Sequence, residues 1–416
     1  MSRSGAAFTY QNGELCCGAL PLARLAEQFG TPLYVYSAAA IRDHYQRLAA
    51  AFAPLRPLIC YAVKANFNLA LLRLLRAEGA GFDIVSGGEL YRALQAGAAP
   101  EQIVFAGVGK TDTELAEGLA AGIGWFNVES ADELSRLNAL AAARGQRARA
   151  ALRLNPNVSP DTHKHIQTGG ARNKFGLPLA EALALARRGG DYPAIDLRGV
   201  HIHIGSQVPS AAATLAALEV ALDFAAQAPN IDTLDLGGGF PVAYRDEDQF
   251  PTIEAFAAPI VQRLLPMAGR LHIHLEPGRY LVAEAGALLA TVQAVKDVAG
   301  RRTLVMDAGM QTLLRPALYD AYHRVLPLEQ PVEQAQVETD VVGPICESAD
   351  VLARERRLPA LAPGDRLALL EAGAYGFSMA SQYNSQPRPA EVMVDGGQAR
   401  LVRRRETYQD LTEGEL

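Results

Sequence analysis

Residues 58–85 read LICYAVKANFNLALLRLLRAEGAGFDIV, and the order of patterns in this stretch decides the fold. Leu58 to Val63 is an apolar run of the length of one buried strand, too short for a helix. Lys64 ends it. The leucines of 69–77 then recur at helical spacing. Gly79 and Gly81 stop the helix, and a second apolar run opens at Phe82. Strand, helix and strand over fewer than 30 residues make a βαβ unit, whose two strands must run parallel.

The same rhythm extends outward. Strands are expected at 58–63, 82–85, 103–106, 124–128, 148–154, 198–204, 233–236 and 270–275. Helices are expected between them at 69–77, 88–96, 113–121, 131–144, 179–187 and 211–226. Eight such units predict an α/β fold, a (β/α)8 TIM-like barrel, with a doubly wound open sheet as the alternative. Beyond about residue 285 the helices thin out. Strand patterns at 287–298, 303–307, 336–342, 366–371, 391–394 and 399–404 predict a mostly β C-terminal domain. The expected division is an N-terminal segment, 1–37, pairing with the β domain, a barrel over 38–285, and a β domain over 286–416 that carries the Cys346 loop.

Composition narrows the function. The chain has 416 residues, 49% hydrophobic and 20% charged, with net charge -6 and no long basic run, which argues against a nucleic-acid partner. Its four cysteines form no C-x-x-C pair, which fits a reducing compartment. No run approaches the length of a membrane helix and no signal-peptide core opens the chain, so a cytoplasmic location is expected.

Polar residues and glycines cluster where the barrel strands end, the face on which such barrels carry active sites. Lys64 follows strand one, Asp83 lies in strand two, and His203 and Ser206 end strand six. Gly237, Gly238 and Gly239 follow strand seven; Glu276, Gly278 and Arg279 follow strand eight. A desolvated lysine is a usable Schiff-base amine, although a strand-end lysine is more often only a charge. Three glycines let backbone amides approach phosphate, or make only a turn. Glu276 and Arg279 read equally well as a structural ion pair and as cofactor and anion ligands. The pairs His163/His165, His201/His203 and His272/His274 are read as divided between the two faces of a strand, which makes each a poor metal pair; no metal is expected. Cys346, beside Gly343-Pro344 and Glu347, is a buried inert thiol or a proton donor.

Tyr61-Ala62-Val63-Lys64-Ala65-Asn66 resembles the cofactor-lysine motif of the alanine racemase-like, barrel-type pyridoxal 5'-phosphate (PLP) enzymes. His203-Ile204-Gly205-Ser206-Gln207, the triple glycine, Glu276-Pro277-Gly278-Arg279, Cys346-Glu347-Ser348 and Gly373-Ala374-Tyr375-Gly376 follow in the order of that group's decarboxylases. Asp307-Ala308-Gly309-Met310, Arg315-Pro316-Ala317-Leu318-Tyr319 and Asn173-Lys174-Phe175-Gly176 resemble the diaminopimelate decarboxylase family, and the likeness spans roughly residues 25–410. Gly239-Phe240-Pro241-Val242 departs from that family's usual leucine-glycine-isoleucine.

The resemblance implies PLP-dependent decarboxylation of meso-diaminopimelate to L-lysine and CO2, the last step of lysine biosynthesis. An ornithine- or lysine-type decarboxylase and a non-catalytic PLP-binding regulator are the alternatives. It implies that Lys64 carries the cofactor, that Glu276 meets the pyridine nitrogen, and that His203 stacks on the ring. Asp83, Arg153 and Tyr375 would complete the cofactor site; Ser206, Gly237, Gly238, Gly239, Gly278 and Arg279 would hold the phosphate. Arg279, Arg315, Tyr319, Glu347 and Tyr375 would bind substrate, and Cys346 would be the proton donor. It also implies a homodimer with shared active sites.

Overall fold

A computed structural model describes residues 7–158, 173–330 and 335–416. The chain forms two compact units, one of residues 44–242 and 249–280, the other of residues 1–43, 243–248 and 281–416.

The first unit is a closed barrel of eight strands. In chain order they are Leu58–Ala62, Gly81–Ile84, Ile103–Phe105, Trp125–Val128, Ala148–Leu154, Ile195–Ile202, Thr233–Asp235 and His272–Leu275. Each pairs in parallel with its neighbours, and the eighth closes on the first through His274 opposite Leu58. The barrel expected from the sequence is therefore present, and the open sheet is not. Helices return the chain between strands, and their starts are fixed locally. Ser86, Thr111 and Ser130 cap three of them by accepting the backbone N–H of Glu89, Glu114 and Glu133. Below the rim the interior is filled by Cys60, Val104, Trp125 and Ala151. Gly199 makes room for the indole: a β-carbon there would stand 2.6 Å from that of Ala151 and 2.9 Å from Trp125. Side chains alternate in a strand, so the residues two positions further on point inward at the rim.

The second unit is built on a nine-stranded sheet. Gly286–Val298 is its spine, pairing antiparallel with Leu33–Ser37, Arg301–Met306 and Arg366–Leu369. Leu33–Ser37 also pairs with Ala390–Asp395, in parallel. Leu33, Val35, Leu289, Ala368 and Val392 pack in the core beneath it. The strand Val351–Leu358 was not expected, because Arg354, Glu355 and Arg357 interrupt its apolar pattern; it pairs with Val337–Val342. Among the described residues no helix is long and apolar enough to cross a membrane.

Candidate active site

Lys64 lies in a single 3-10 turn, Val63–Ala65, directly after the first barrel strand. Its Nζ stands 2.5 Å from Oδ2 of Asp83, which is fully buried in the second strand. The other oxygen of Asp83 has no partner. Across the barrel Arg153 Nη1 meets Glu129 Oε1 at 2.5 Å, both buried, and its guanidinium covers the Phe175 ring at 4.6 Å. Lys64 and Arg153 thus reach the rim with their charges already balanced.

The ends of strands six, seven and eight are stitched together. Glu276 N–H donates to Gly237 O at 2.7 Å, and Gly238 N–H donates to His203 Nδ1 at 3.2 Å. Gly237 N–H donates to Asp235 Oδ1 at 2.9 Å. Two of the three glycine amides are therefore used inside the protein, and Gly239 is the one whose amide has no partner among the described residues. Gly237 and Gly239 adopt left-handed backbone, φ 65 and 96. Arg279 Nε donates to Ser206 Oγ at 3.0 Å, which brings a guanidinium and a hydroxyl to the same edge. Gly278 packs on the first strand: a β-carbon there would lie 3.1 Å from that of Ala62.

The Phe240 departure has a packing explanation. Phe240 is buried, with ring centroids 5.8 Å from Phe52, 5.7 Å from Phe256 and 6.4 Å from Tyr280. It fills the layer between barrel and helices. Behind it the Gln207 amide clamps the backbone of Val242 with two bonds of 2.8 Å.

Burial sets the charge states. The Glu276 carboxyl is pushed up to about 8, first by burial and then by Asp83. Asp235 is likewise pushed up to about 8 by burial and by Glu276. The His201 imidazole is lowered to about 4, and that of His203 well below its ordinary value, both mainly by burial. These histidines are neutral at physiological pH.

The expected division of each histidine pair between two faces was mistaken. Residues two apart in a strand share a face, and His201 and His203 both turn toward the interior groups of the barrel. His201 Nε2 stands 3.2 Å from Glu276 Oε2 without the alignment of a hydrogen bond. His163 and His165 lie outside the described residues.

The second unit holds the other expected site residues. Arg315 is buried; its guanidinium covers Tyr244 at 4.6 Å, and Nη1 donates to His323 Nε2 at 2.9 Å. Tyr319 ends the short helix Arg315–Tyr319. Cys346 is exposed, not buried, so the inert-core reading of this thiol does not hold. Its loop is pinned by Asp350, which accepts Ile345 N–H at 2.7 Å and Met310 N–H at 2.6 Å. The Glu347 carboxylate accepts the Tyr383 hydroxyl. Tyr375 takes left-handed backbone, φ 55.

Sequence reasoning passed over Asn127, Glu129 and Asp235. The signal was present: each is polar at or beside an apolar strand, Asn127 between Phe126 and Val128, and Asp235 between Leu234 and Leu236.

The family described as "Pyridoxal-dependent decarboxylase, pyridoxal binding domain" matches residues 38–283. The chain belongs to this family. A curated relative, diaminopimelate decarboxylase of Pseudomonas aeruginosa, is 47% identical over 98% of both chains. The crystal structure of diaminopimelate decarboxylase from M. jannaschii, in complex with L-lysine, superposes with TM-score 0.94 at 37% identity, covering 99% of this chain and 98% of that one. A lysine/ornithine decarboxylase from Vibrio vulnificus, complexed with cadaverine, is similar at TM-score 0.79 and 27% identity, covering 90% and 95%.

The family's cofactor suits what the rim provides. PLP needs an amine, an acid for its pyridine nitrogen, and close backbone with cationic donors for its phosphate. Lys64, Glu276 and the Gly239–Ser206–Arg279 edge offer groups of these kinds and would supply them. A β-carbon on Gly238 would fall 2.4 Å from Glu276 O and one on Gly239 2.8 Å from Gly205 O, so the close approach requires glycine.

Proposed function

We propose that this chain is a PLP-dependent carboxy-lyase that converts meso-diaminopimelate to L-lysine and CO2. The single observation carrying the substrate is near full-length likeness to diaminopimelate decarboxylases at 47% identity, against 27% for a lysine/ornithine enzyme. The chemistry of a distal carboxylate agrees. Arginine is its best partner, and a buried Arg315 held by Tyr244 and His323 is a pre-oriented one.

PLP, when bound, supplies a sink for the electron pair left as CO2 departs. Lys64 would hold the cofactor through its amine, and Asp83 sets the amine's place. Arg153 and Glu129 brace the neighbouring strand ends. His203, neutral, would stack on the cofactor ring; it is held in place because its Nδ1 accepts the Gly238 N–H. Glu276 would keep the pyridine nitrogen protonated. The Gly239 amide, Ser206, Gly278 and Arg279 would hold the phosphate, while Gly237 and Gly238 give the turn its shape. In the substrate the bond from the α-carbon to its carboxylate breaks. Cys346 Sγ then gives its proton to that carbon and recovers one from solvent. Glu347 takes the distal ammonium; Arg279, Arg315, Tyr319 and Tyr375 take the distal carboxylate end.

The barrel, 38–285, serves as the PLP-binding domain and the β domain carries the Cys346 loop. Because Cys346 and Glu347 are exposed on that loop, we assign them to the active site of a second copy, in a cytoplasmic homodimer with two shared sites. Turnover of meso-diaminopimelate against L-ornithine and L-lysine tests the substrate. Faster CO2 release from either monocarboxylate would overturn it.

A further inference from the structure

Among the described residues, the barrel interior contains more carboxylates than cations to balance them. Asp83 is taken by Lys64, Glu129 by Arg153, and Glu133 by Lys110 at 2.7 Å. Asp235 and Glu276 remain. Both are buried, and neither has a lysine or arginine within ion-pair distance among the described residues; their neighbour His201 is neutral.

One side chain serves both. Asn127 Nδ2 donates one hydrogen to Asp235 Oδ2 at 3.1 Å and the other to Glu276 Oε1 at 3.2 Å. Oxygens of the two carboxyl groups also lie within 4.8 Å of each other, beside a ring nitrogen of His201. Two ionised carboxylates this close, both buried and sharing one amide donor, repel each other with no cation between them, and one proton held by the pair removes that repulsion. Asp235 then reaches on to the Gly237 amide at 2.9 Å. Asn127 is itself fixed from below, because the buried Lys110 donates to its backbone carbonyl at 2.8 Å.

We propose that Asp235 and Glu276 act as one acid–carboxylate pair sharing a single proton, with Asn127 and Asp235 as positioning residues that aim it and tie it to the glycine turn. This rests on the reading of Glu276 as the partner of the pyridine nitrogen. The pair presents one negative charge to the protonated ring. Two ionised carboxylates would leave one charge buried without compensation. Because Asp235 holds both the pair and Gly237, it couples the ends of the site that grip the ring and the phosphate. The other groups facing the pair do not compete for the proton. Cys60, on the first strand, is pushed well up by burial and by these carboxylates, and stays a thiol. His274 is lowered to about 4 by burial and stays neutral. Asp83 and Lys64 are bonded to each other, as are Glu129 and Arg153.

Infrared difference spectroscopy on the cofactor-free, full-length protein tests the pair directly. At pH 7 the wild type should show the C=O stretch of a buried protonated carboxyl, which titrates away at alkaline pH. Both Asp235→Asn and Glu276→Gln should abolish it, because the remaining carboxylate ionises against an amide donor. No such band in the wild type would overturn the proposal. So would a band that survives in Glu276→Gln, which would mean an acid neutralised by burial alone. Asn127→Leu should shift the titration of the band and weaken PLP binding about tenfold; an unmoved titration would remove Asn127 from the role. PLP titration of the wild type is the separate control: failure to bind sinks the functional reading and leaves the infrared result standing.

Discussion

Gly238→Ala isolates the geometry of the cofactor cradle. The backbone of Gly238 is not left-handed, so alanine is not strained there by its own φ. The obstacle is space: its β-carbon would stand 2.4 Å from Glu276 O, with Glu276 C next at 3.3 Å and Pro277 Cα at 3.8 Å. An ordinary contact is roughly 1 Å longer, so the strand end bearing Glu276 must retreat by about that much. Overpacking of this kind costs about 1–3 kcal/mol. Placed on the element that meets the ring, it should raise the Kd for PLP by about 10–100-fold, at about 1.4 kcal/mol per tenfold. Absorbance titration of the cofactor-free protein measures it. Gly189→Ala, where nothing lies within 4 Å of a β-carbon, is the control and should bind as wild type. If Gly238→Ala also binds PLP within twofold of wild type, the assignment of this turn to the cofactor is wrong.

Cys346→Ala should slow CO2 release by at least about a hundredfold while PLP stays bound, since general acids contribute about 10²–10⁴; an unchanged rate would remove the thiol from the reaction. If sites are shared, mixing inactive Cys346→Ala with inactive Lys64→Ala should restore measurable turnover, and its absence would argue for self-contained sites. In the cofactor-free protein the Asp235–Glu276 pair binds its one shared proton more tightly than either carboxyl does in the unfolded chain, so stability should fall as pH rises from about 5 to about 8. Glu276→Gln should flatten that slope in denaturant melts; an equally steep slope would place the linkage elsewhere. Lys110→Met should destabilise by about 3–5 kcal/mol, because it strands buried Glu133, and Lys110→Met with Glu133→Leu should recover most of the loss. A double variant as unstable as the single one would contradict this.

Much of the barrel was legible because its signal is local. Apolar runs of four to seven residues separated by helical spacing leave few alternatives, and Ala148–Leu154 and Leu179–Arg187 begin and end where the pattern does. Strand six was misplaced at its start. It begins at Ile195, where pairing with Ala148 recruits three residues that the pattern alone does not mark. Residues 243–248 group with the β unit although they lie within the barrel's stretch of sequence, a consequence of long-range contacts that no local pattern encodes. In the site, single residues at strand ends were visible because the barrel's chemistry collects there. The partners of those residues were not. Glu129 under Arg153, and Asn127 between Asp235 and Glu276, are set by which strands become neighbours in the closed barrel.

The central claim is that Lys64 on the barrel rim carries the cofactor. The chain has five lysines: Lys64, Lys110, Lys164, Lys174 and Lys296. Loading with PLP, reducing with borohydride and mass-mapping the peptides should place one phosphopyridoxyl group on the peptide containing Lys64 and none on the others. The modification on another lysine, or on none, would contradict the account.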